Sequence, residues 1–160
     1  MRMDKLTHSL QAALGDAQSL AVGRDHPYIE PIHILKAMVD PAASPTRALL
    51  RAAGAAVEPL QASVDQALSG VATVSGAADV HISQDTQRLL NQADKLSQRA
   101  GDAYLSTDSV LLAMLESKTT ASLLKDAGLT TELLSRTIDS ARGGESVNSA
   151  ESEETRQALE

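Results

Sequence analysis

Apolar residues recur along most of this chain at steps of three and four, which is the spacing of one face of an α-helix. The first stripe consists of Leu6, Leu10, Ala13, Leu14, Ala17, Leu20 and Ala21. Pro31 suits the first position of a helix, and Ser44-Pro45 combines a cap with such a proline. Gly54 is a natural left-handed residue after a helix. The first half therefore predicts four helices, at about 4–22, 31–39, 45–54 and 57–69.

The second half of the chain shows the same order of stripes after an irregular connector, GVATVSGAADV at 70–80. Ser83 is a suitable cap for a fifth helix, and Gly101 closes it. Ser106 or Thr107 caps the sixth helix, which carries Val110, Leu111, Met114 and Leu115. The pattern then predicts a seventh and an eighth helix at about 119–127 and 131–142.

The two halves are copies of one ancestral unit. Tyr28 and Tyr104, the only aromatic residues, lie 76 positions apart, and many apolar residues pair at the same offset, among them Leu14 with Leu90, Leu35 with Leu111 and Met38 with Met114. After a two-residue shift, Gly54 pairs with Gly128. We therefore predict an all-α domain at 1–142, made of two pseudo-symmetric four-helix repeats at about 4–69 and 83–142 that share one core. Each tyrosine is expected to anchor the loop before the second helix of its repeat.

The residues after Arg142 read GGESVNSAESEETRQALE, with a glycine pair, several serines and glutamates and few apolar side chains. Such a composition buries too little apolar surface to offset the entropy of ordering. It predicts a flexible acidic linker at 143–160, with a nascent helix at Glu153 to Glu160.

Composition narrows the classes of function. The net charge is −7 and the basic residues are scattered, so neither a phosphate-tracking stripe nor a stacking surface for nucleic acid is present. The chain has no cysteine, and no apolar run approaches the roughly 18 residues of a membrane span. A cytoplasmic protein that binds neither nucleic acid nor membranes is expected.

Motifs for chemistry are missing from the sequence. There is no phosphate-binding loop of the G-x-x-x-x-G-K-[ST] type and no G-x-S-x-G elbow, and the four histidines (His8, His26, His33 and His81) do not have metal-ligand spacing. We therefore predict no catalysis, no metal and no cofactor in this chain. What remains is binding, because a seam between two four-helix units can hold an apolar segment of another protein.

Four stretches of the chain carry a resemblance to a known family: MRMDKLTHSLQAALGDAQSLA, YIEPIHIL, DKLSQRAGDAYLSTD, and RGGESVN followed by RQAL. They resemble the amino-terminal domain of the ClpB family of ring-forming AAA+ disaggregases. The double repeat alone also occurs in the ClpA, ClpC and ClpV relatives, whereas RGGESVN is more specific to ClpB.

The resemblance implies a module that captures unfolded or aggregated polypeptide. In this family the domain precedes two ATPase modules, which bind ATP and Mg²⁺, and residues 143–160 would be the tether toward them. The full-length protein is then expected to be a homohexameric ATPase that works with a DnaK-type chaperone, and the isolated domain a monomer.

The family's substrate-handling positions fall on Thr7, Asp102 and Asp108, and its apolar patch on Leu96 and Ser109. Asp108 is usually glutamate in the family and Ser109 often leucine, so the resemblance implies weaker or differently centred capture here. A purely structural interpretation also stands: Thr7 as an early helix residue, Asp102 as a turn residue and Asp108 as a partner of a helix dipole. The repeats diverge at these positions, because Pro31 and Ile32 correspond to Thr107 and Asp108.

Two other functions remain compatible with the sequence. One is an adaptor-docking domain of a ClpA, ClpC or ClpV type of unfoldase, which would grip one folded partner. The other is a free-standing helical regulator of signalling or of a stress response.

Overall fold

The computed structural model describes residues 4–42, 44–75 and 79–153. Within these ranges there are eight helices and two short strands, in agreement with the predicted all-α class. The first repeat contains α1 (His8–Gly23), β1 (Tyr28–Ile29), α2 (Pro31–Val39), α3 (Pro45–Ala52) and α4 (Val57–Ser69). The second contains β2 (His81–Ile82), α5 (Gln84–Arg99), α6 (Thr107–Met114), α7 (Lys118–Asp126) and α8 (Thr131–Arg142).

Local signals in the sequence explain most helix boundaries. The hydroxyls of Ser44, Ser83 and Ser106 accept hydrogen bonds from amides in the first turns of α3, α5 and α6, as N-caps do. Gly143 ends α8 with a φ of 60°. The predicted start of α1 at Asp4 is wrong, because Thr7 is its N-cap and the preceding Leu6 forms a parallel bridge with Leu105.

The two repeats share one hydrophobic core, as predicted. Helix α2 packs against α1 and α4 of its own repeat and against α5, α6 and α7 of the other repeat. Met38 and Met114, which occupy equivalent positions, are 2% and 0% exposed. The buried apolar residues of both halves form a single continuous cluster.

Short parallel pairings also connect the repeats. In β1 and β2, Tyr28 lies opposite His81 and Ile29 opposite Ile82. An isolated parallel bridge joins Leu6 to Leu105, where the amide of Leu105 donates to Lys5 O at 2.6 Å and the amide of Thr7 donates to Leu105 O at 3.0 Å. These pairings hold the loops before α2 and α6 in place.

The structure corrects the expected role of the tyrosines. Tyr28 is 49% exposed, whereas the following Ile29 is buried, because successive side chains of a strand point to opposite faces. In the second repeat Leu105 is fully buried and the ring of Tyr104 lies under Lys5 Nζ, 5.1 Å from the ring centroid. The aliphatic residue after each tyrosine therefore anchors the loop.

The chain after α8 stays on the domain. Val147 and Glu153 are 2% and 1% exposed, so a flexible linker beginning at residue 143 does not describe residues 145–153, which we call the carboxyl-terminal strap. Composition did not predict this docking because it depends on a few specific hydrogen bonds and on one buried valine. Most of the nascent helix predicted at 153–160 lies outside the described residues.

Candidate functional site beneath the carboxyl-terminal strap

Arg142, in the last turn of α8, holds together two buried carboxylates of the second repeat. Its Nη1 lies 3.1 Å from Asp102 Oδ1, and its Nε lies 3.3 Å from Asp108 Oδ2. The side chains of Asp102 and Asp108 are 0% and 4% exposed, and that of Arg142 is 10% exposed. Asp102 follows α5, and Asp108 lies in the first turn of α6, where a negative charge is favourable. This arrangement fastens the loop between α5 and α6 to α8.

Glu153 makes a second buried group with two threonines. Its Oε1 accepts hydrogen bonds from the amide and the hydroxyl of Thr107, both at 2.7 Å, and its Oε2 accepts from the hydroxyl of Thr7 at 3.1 Å. The Thr7 hydroxyl also accepts from the amide of Leu10 and so caps α1. One carboxylate therefore joins the starts of α1 and α6.

The two buried groups influence each other electrostatically. Burial, and after it the negative charge of Asp108, raises the pKa of the Glu153 carboxyl, while the hydrogen bonds from Thr107 and Thr7 act in the opposite direction. The charge of Arg142 is shared between Asp102 and Asp108. We call Thr7, Asp102, Thr107, Asp108, Arg142 and Glu153 the polar cluster.

Backbone hydrogen bonds position the strap over this cluster. The amide of Val147 donates to Asp102 Oδ1 at 2.9 Å, and Val147 O accepts from the amides of Ala103 and Tyr104. Nearer to Glu153, Ala150 O accepts from the amide of His8 at 2.9 Å. The strap therefore runs from the loop before α6 to the start of α1.

The structure places three of the five predicted site residues together. Thr7, Asp102 and Asp108 all belong to the polar cluster and are at most 4% exposed. Leu96, on α5, is partly buried against the core. Ser109 is 3% exposed, and its amide faces Ser106 Oγ at 3.5 Å, so in this conformation it adds almost nothing to the outer surface.

Sequence reasoning noted Thr107 only as the residue that replaces Pro31 of the other repeat, and it missed Arg142 and Glu153 as members of the cluster. Arg142 could be recognised only as a cation in the last turn of a helix, because no local spacing relates it to Asp102 or Asp108. Nothing local distinguished Glu153 from the other glutamates of the strap. The isolated apolar residue Val147 was the only local sign that this segment docks.

The first repeat has a histidine pair at the equivalent place. At the offset of 76 residues, His26 corresponds to Asp102 and His33 to Ser109. His26 Nδ1 and His33 Nε2 are 2.7 Å apart, and His33 Nδ1 accepts from the amide of Glu30 at 2.8 Å. Neutral His33 therefore carries its hydrogen on Nε2, and this N–H donates a hydrogen bond to Nδ1 of His26. Burial, and next the neighbouring His26, lowers the pKa of His33 to about 4.

A groove of about 290 Å³ lies between α1 and the α2–α3 corner. Half of its lining residues are small or apolar: Ala12, Ala13, Ala37, Met38, Pro41 and Pro45. The other half is polar: His8, Ser9, Asp16, Ser44, Thr46 and Thr107, and the groove meets the polar cluster at Thr107. Its shape suits a short apolar stretch of another chain.

Neither a metal centre nor a membrane-spanning helix is found among residues 4–42, 44–75 and 79–153. No group of three or more His, Asp or Glu side chains there is arranged to hold a metal ion. In the same ranges, no helix combines the length and apolarity that crossing a membrane requires.

Comparison with known proteins places these features in a family. A family model described as the Clp repeat (R) N-terminal domain matches residues 5–127. The chain is 43% identical to the chaperone protein ClpB of Pseudomonas putida and 44% identical to that of Vibrio cholerae, in both cases over all of this chain and 19% of the relative. It therefore spans about a fifth of the length of these relatives.

Solved structures show the same fold. The Hsp104 N-terminal domain from Candida albicans superposes with a TM-score of 0.81 at 22% identity, covering 93% of this chain and 99% of that one. A ClpV N-domain in complex with a VipB peptide superposes with a TM-score of 0.69 at 27% identity, covering 85% and 86% of the two chains.

Proposed function

Because this chain belongs to the family of Clp repeat N-terminal domains, we propose that it is the client-binding module of a ClpB-type protein disaggregase. Its client would be an exposed apolar stretch of an unfolded or aggregated polypeptide. The observation that carries this proposal is the apolar groove between α1 and the α2–α3 corner, which meets the polar cluster at Thr107.

The apolar half of the groove lining suits weak and unselective binding. Alanine, methionine and proline side chains offer apolar contact without a fixed pattern of hydrogen bonds, so many sequences can fit. Burying one or two aliphatic side chains of a client contributes about 1.5–3 kcal/mol each. Association also costs translational, rotational and side-chain entropy, so burial of one or two side chains gives weak binding, which suits a module that must release its client.

The polar cluster supports this role by positioning the elements around the groove. Thr7 caps α1, and Thr107 begins α6, so both fix a helix at the end of the groove. Asp102, Asp108 and Arg142 hold the loop that precedes α6. We therefore propose that Thr7, Asp102 and Asp108 are positioning residues. Leu96 remains a candidate for a second, apolar contact on the α5–α6 side, whereas Ser109, which is 3% exposed, does not reach that surface.

For the whole protein, the relatives support a wider proposal. The ClpB relatives are about five times longer than this chain, and the additional length would contain the ATPase modules that bind ATP and Mg²⁺. We propose a cytoplasmic homohexamer that threads clients through its pore in cooperation with a DnaK-type chaperone.

One observation favours a second candidate function. A ClpV N-domain of the same fold has been solved with a VipB peptide, so an N-domain of this kind can hold one defined partner. On that alternative, this chain docks a specific adaptor protein. A pull-down distinguishes the two, because docking should recover one stoichiometric partner that survives competition by unfolded protein.

The test of client binding uses fluorescein-labelled, reduced and carboxymethylated α-lactalbumin, a probe that stays unfolded in native buffer. Its affinity for the 160-residue chain is measured by anisotropy, and the amides that shift are identified by NMR. Ala12→Trp, which fills the groove from an exposed position on α1, should weaken binding at least about threefold. Ala62→Trp, at an exposed position on α4, is the matched control. Equal affinities for both variants, or shifts confined to other surfaces, would contradict the groove as the client site.

A further inference from the structure

The carboxyl-terminal strap covers the residues at which the polar cluster would otherwise face solvent. Thr7, Thr107 and Asp102 are 0%, 3% and 4% exposed, and all three are hydrogen-bonded by strap residues. Glu153 accepts from both threonines, and the amide of Val147 donates to Asp102. The strap therefore occupies the polar end of the candidate site.

The strap also borders the apolar groove. Ala150 O accepts from the amide of His8, and Glu151 Oε1 lies 3.7 Å from His8 Nε2. His8 lines the groove at the start of α1, and Thr107 lines it at the start of α6. A client that extends out of the groove past these two residues meets the strap.

The strap is held at separate points and not by a continuous apolar face. Val147 is its single buried aliphatic residue, and Glu153 is its single buried charged residue. Between and before them, Glu145, Ser146, Asn148 and Glu151 are exposed. Segments with few apolar contacts open at a low free-energy cost compared with the core. Gly143 and Gly144, with φ values of 60° and 85°, offer a hinge at the end of α8.

The docking position of Glu153 exists in only one repeat. The amide of Thr107 donates to Glu153, but the equivalent Pro31 has no amide hydrogen to donate. The start of α6 is also a favourable place for a carboxylate because the helix dipole is positive there. The divergence between Pro31 and Thr107 thus creates a specific receptor for the strap.

Resting on the proposed function, we infer that the strap is an autoinhibitory self-ligand that must leave the polar cluster before a client is held firmly. Release breaks the contacts of Glu153 with Thr7 and Thr107 and frees the rim of the groove at His8 and Thr107. Because residues after 153 lead toward the rest of the protein, release also lengthens the tether of the domain by the nine residues of the strap, 145–153. Client capture and a longer reach are then coupled.

The inference is tested first by opening the strap from either side of the contact. Glu153→Ala removes the carboxylate. Thr107→Pro removes the amide hydrogen and the hydroxyl, and proline suits this position because Pro31 begins the equivalent helix α2. Glu145→Gln is the matched control, because it makes a similar charge change at an exposed strap position. Amide hydrogen exchange should accelerate at Val147, Ala103 and Tyr104 in the two opening variants and not in the control.

The affinity for the labelled α-lactalbumin probe should rise about threefold to tenfold in Glu153→Ala and Thr107→Pro, in proportion to the increase in the open population. A closing variant gives the opposite test. The chain has no cysteine, and the amide of His8 donates to Ala150 O at 2.9 Å, so a disulfide between these two positions is a suitable way to fasten the strap to the start of α1. In His8→Cys/Ala150→Cys, oxidation should weaken probe binding relative to the same protein after reduction.

The outcomes separate this inference from the proposed function. The strap does not inhibit if hydrogen exchange accelerates in the opening variants but they bind the probe as the control does. The same conclusion follows if oxidation of the cysteine variant leaves binding unchanged. In either case the inference is wrong and the proposed function stands. If neither the original chain nor any open variant binds the probe at millimolar concentration, the proposed function is wrong and the inference falls with it.

Discussion

Leu6 pairs with Leu105 in the same way that Ile82 pairs with Ile29, because each pair joins the segment before the first helix of one repeat to the segment before the second helix of the other. The equivalent residues of the two pairs are related by the same offset of 76 positions. The duplicated units therefore exchange short extended segments reciprocally. Neither repeat contains both members of a pairing.

This exchange predicts that the repeats do not fold separately. A fragment of residues 1–75 lacks the partners of Leu6 and Ile29, and a fragment of residues 76–160 lacks those of Ile82 and Leu105. The first fragment also loses the helices α5, α6 and α7 against which α2 packs, and the second fragment loses α2 itself. Far-ultraviolet circular dichroism should show little helix for either fragment alone and a large gain when they are mixed. Native-like helix content in one fragment by itself would contradict this interdependence.

Arg142 should contribute strongly to stability. Arg142→Met leaves Asp102 and Asp108 buried without its charge, and breaking a buried ion pair in this way costs about 3–5 kcal/mol. Arg136→Met, at an exposed position of the same helix, should change the free energy of unfolding by less than about 0.5 kcal/mol. Urea unfolding followed by circular dichroism measures both.

If Arg142→Met does not fold at all, the role of Arg142 is tested by asking whether two further substitutions restore the stability of that variant. Adding Asp102→Asn and Asp108→Asn removes the buried charges that Arg142 neutralises, so the triple variant should be more stable than Arg142→Met alone. A triple variant that is less stable would show that the carboxylates do not depend on Arg142.

The histidine pair predicts a loss of stability in mild acid. The pKa of His33 is about 4 in the folded chain and near 6.5 in the unfolded chain, so between these values the unfolded state binds a proton that the folded state does not. The free energy of unfolding should therefore fall as the pH decreases from about 6.5 to 4, by roughly 3 kcal/mol in all. It should be independent of this group above pH 6.5.

The contribution of His33 is isolated by comparison with His33→Asn, which keeps an acceptor for the amide of Glu30 but does not titrate. The raised pKa of Glu153 acts with the opposite sign, since a carboxyl that protonates more readily when folded gains stability as the pH falls. That term is common to both proteins and cancels in their difference. Parallel curves of stability against pH for the two proteins would contradict the assignment to His33.

Substitution by alanine should lower the stability of the protein at one glycine and raise it at another. Gly128 follows α7 with a φ of 100°, which strains any L-residue, so Gly128→Ala should destabilise the protein by about 1–2 kcal/mol. Gly15 lies inside α1, with no atom within 4 Å of an added Cβ, so Gly15→Ala should stabilise it by about 0.5–1 kcal/mol. Thermal unfolding of both variants checks the sign of each change.

The sequence alone predicted the local and repeated features of this protein. Helix boundaries such as Pro31 and Gly143 depend on the fixed φ of proline and on the freedom of glycine to adopt a positive φ, and both properties are local to the residue. Apolar periodicity predicted which helix faces are buried, and the offset of 76 residues predicted the two-fold arrangement. Thr7, Asp102 and Asp108 came from the resemblance to a family and not from periodicity. Their functional role stays a prediction.

Only the tertiary structure decided how distant polar residues meet. Thr7 and Glu153 are 146 positions apart and Asp102 and Arg142 are 40 apart, and no local spacing relates such pairs. Composition favoured a mobile linker after residue 142, yet a buried carboxylate and a single valine dock residues 145–153. The docking depends on a few donors and acceptors brought to one place by the packed helices, which is information that the one-dimensional pattern does not carry.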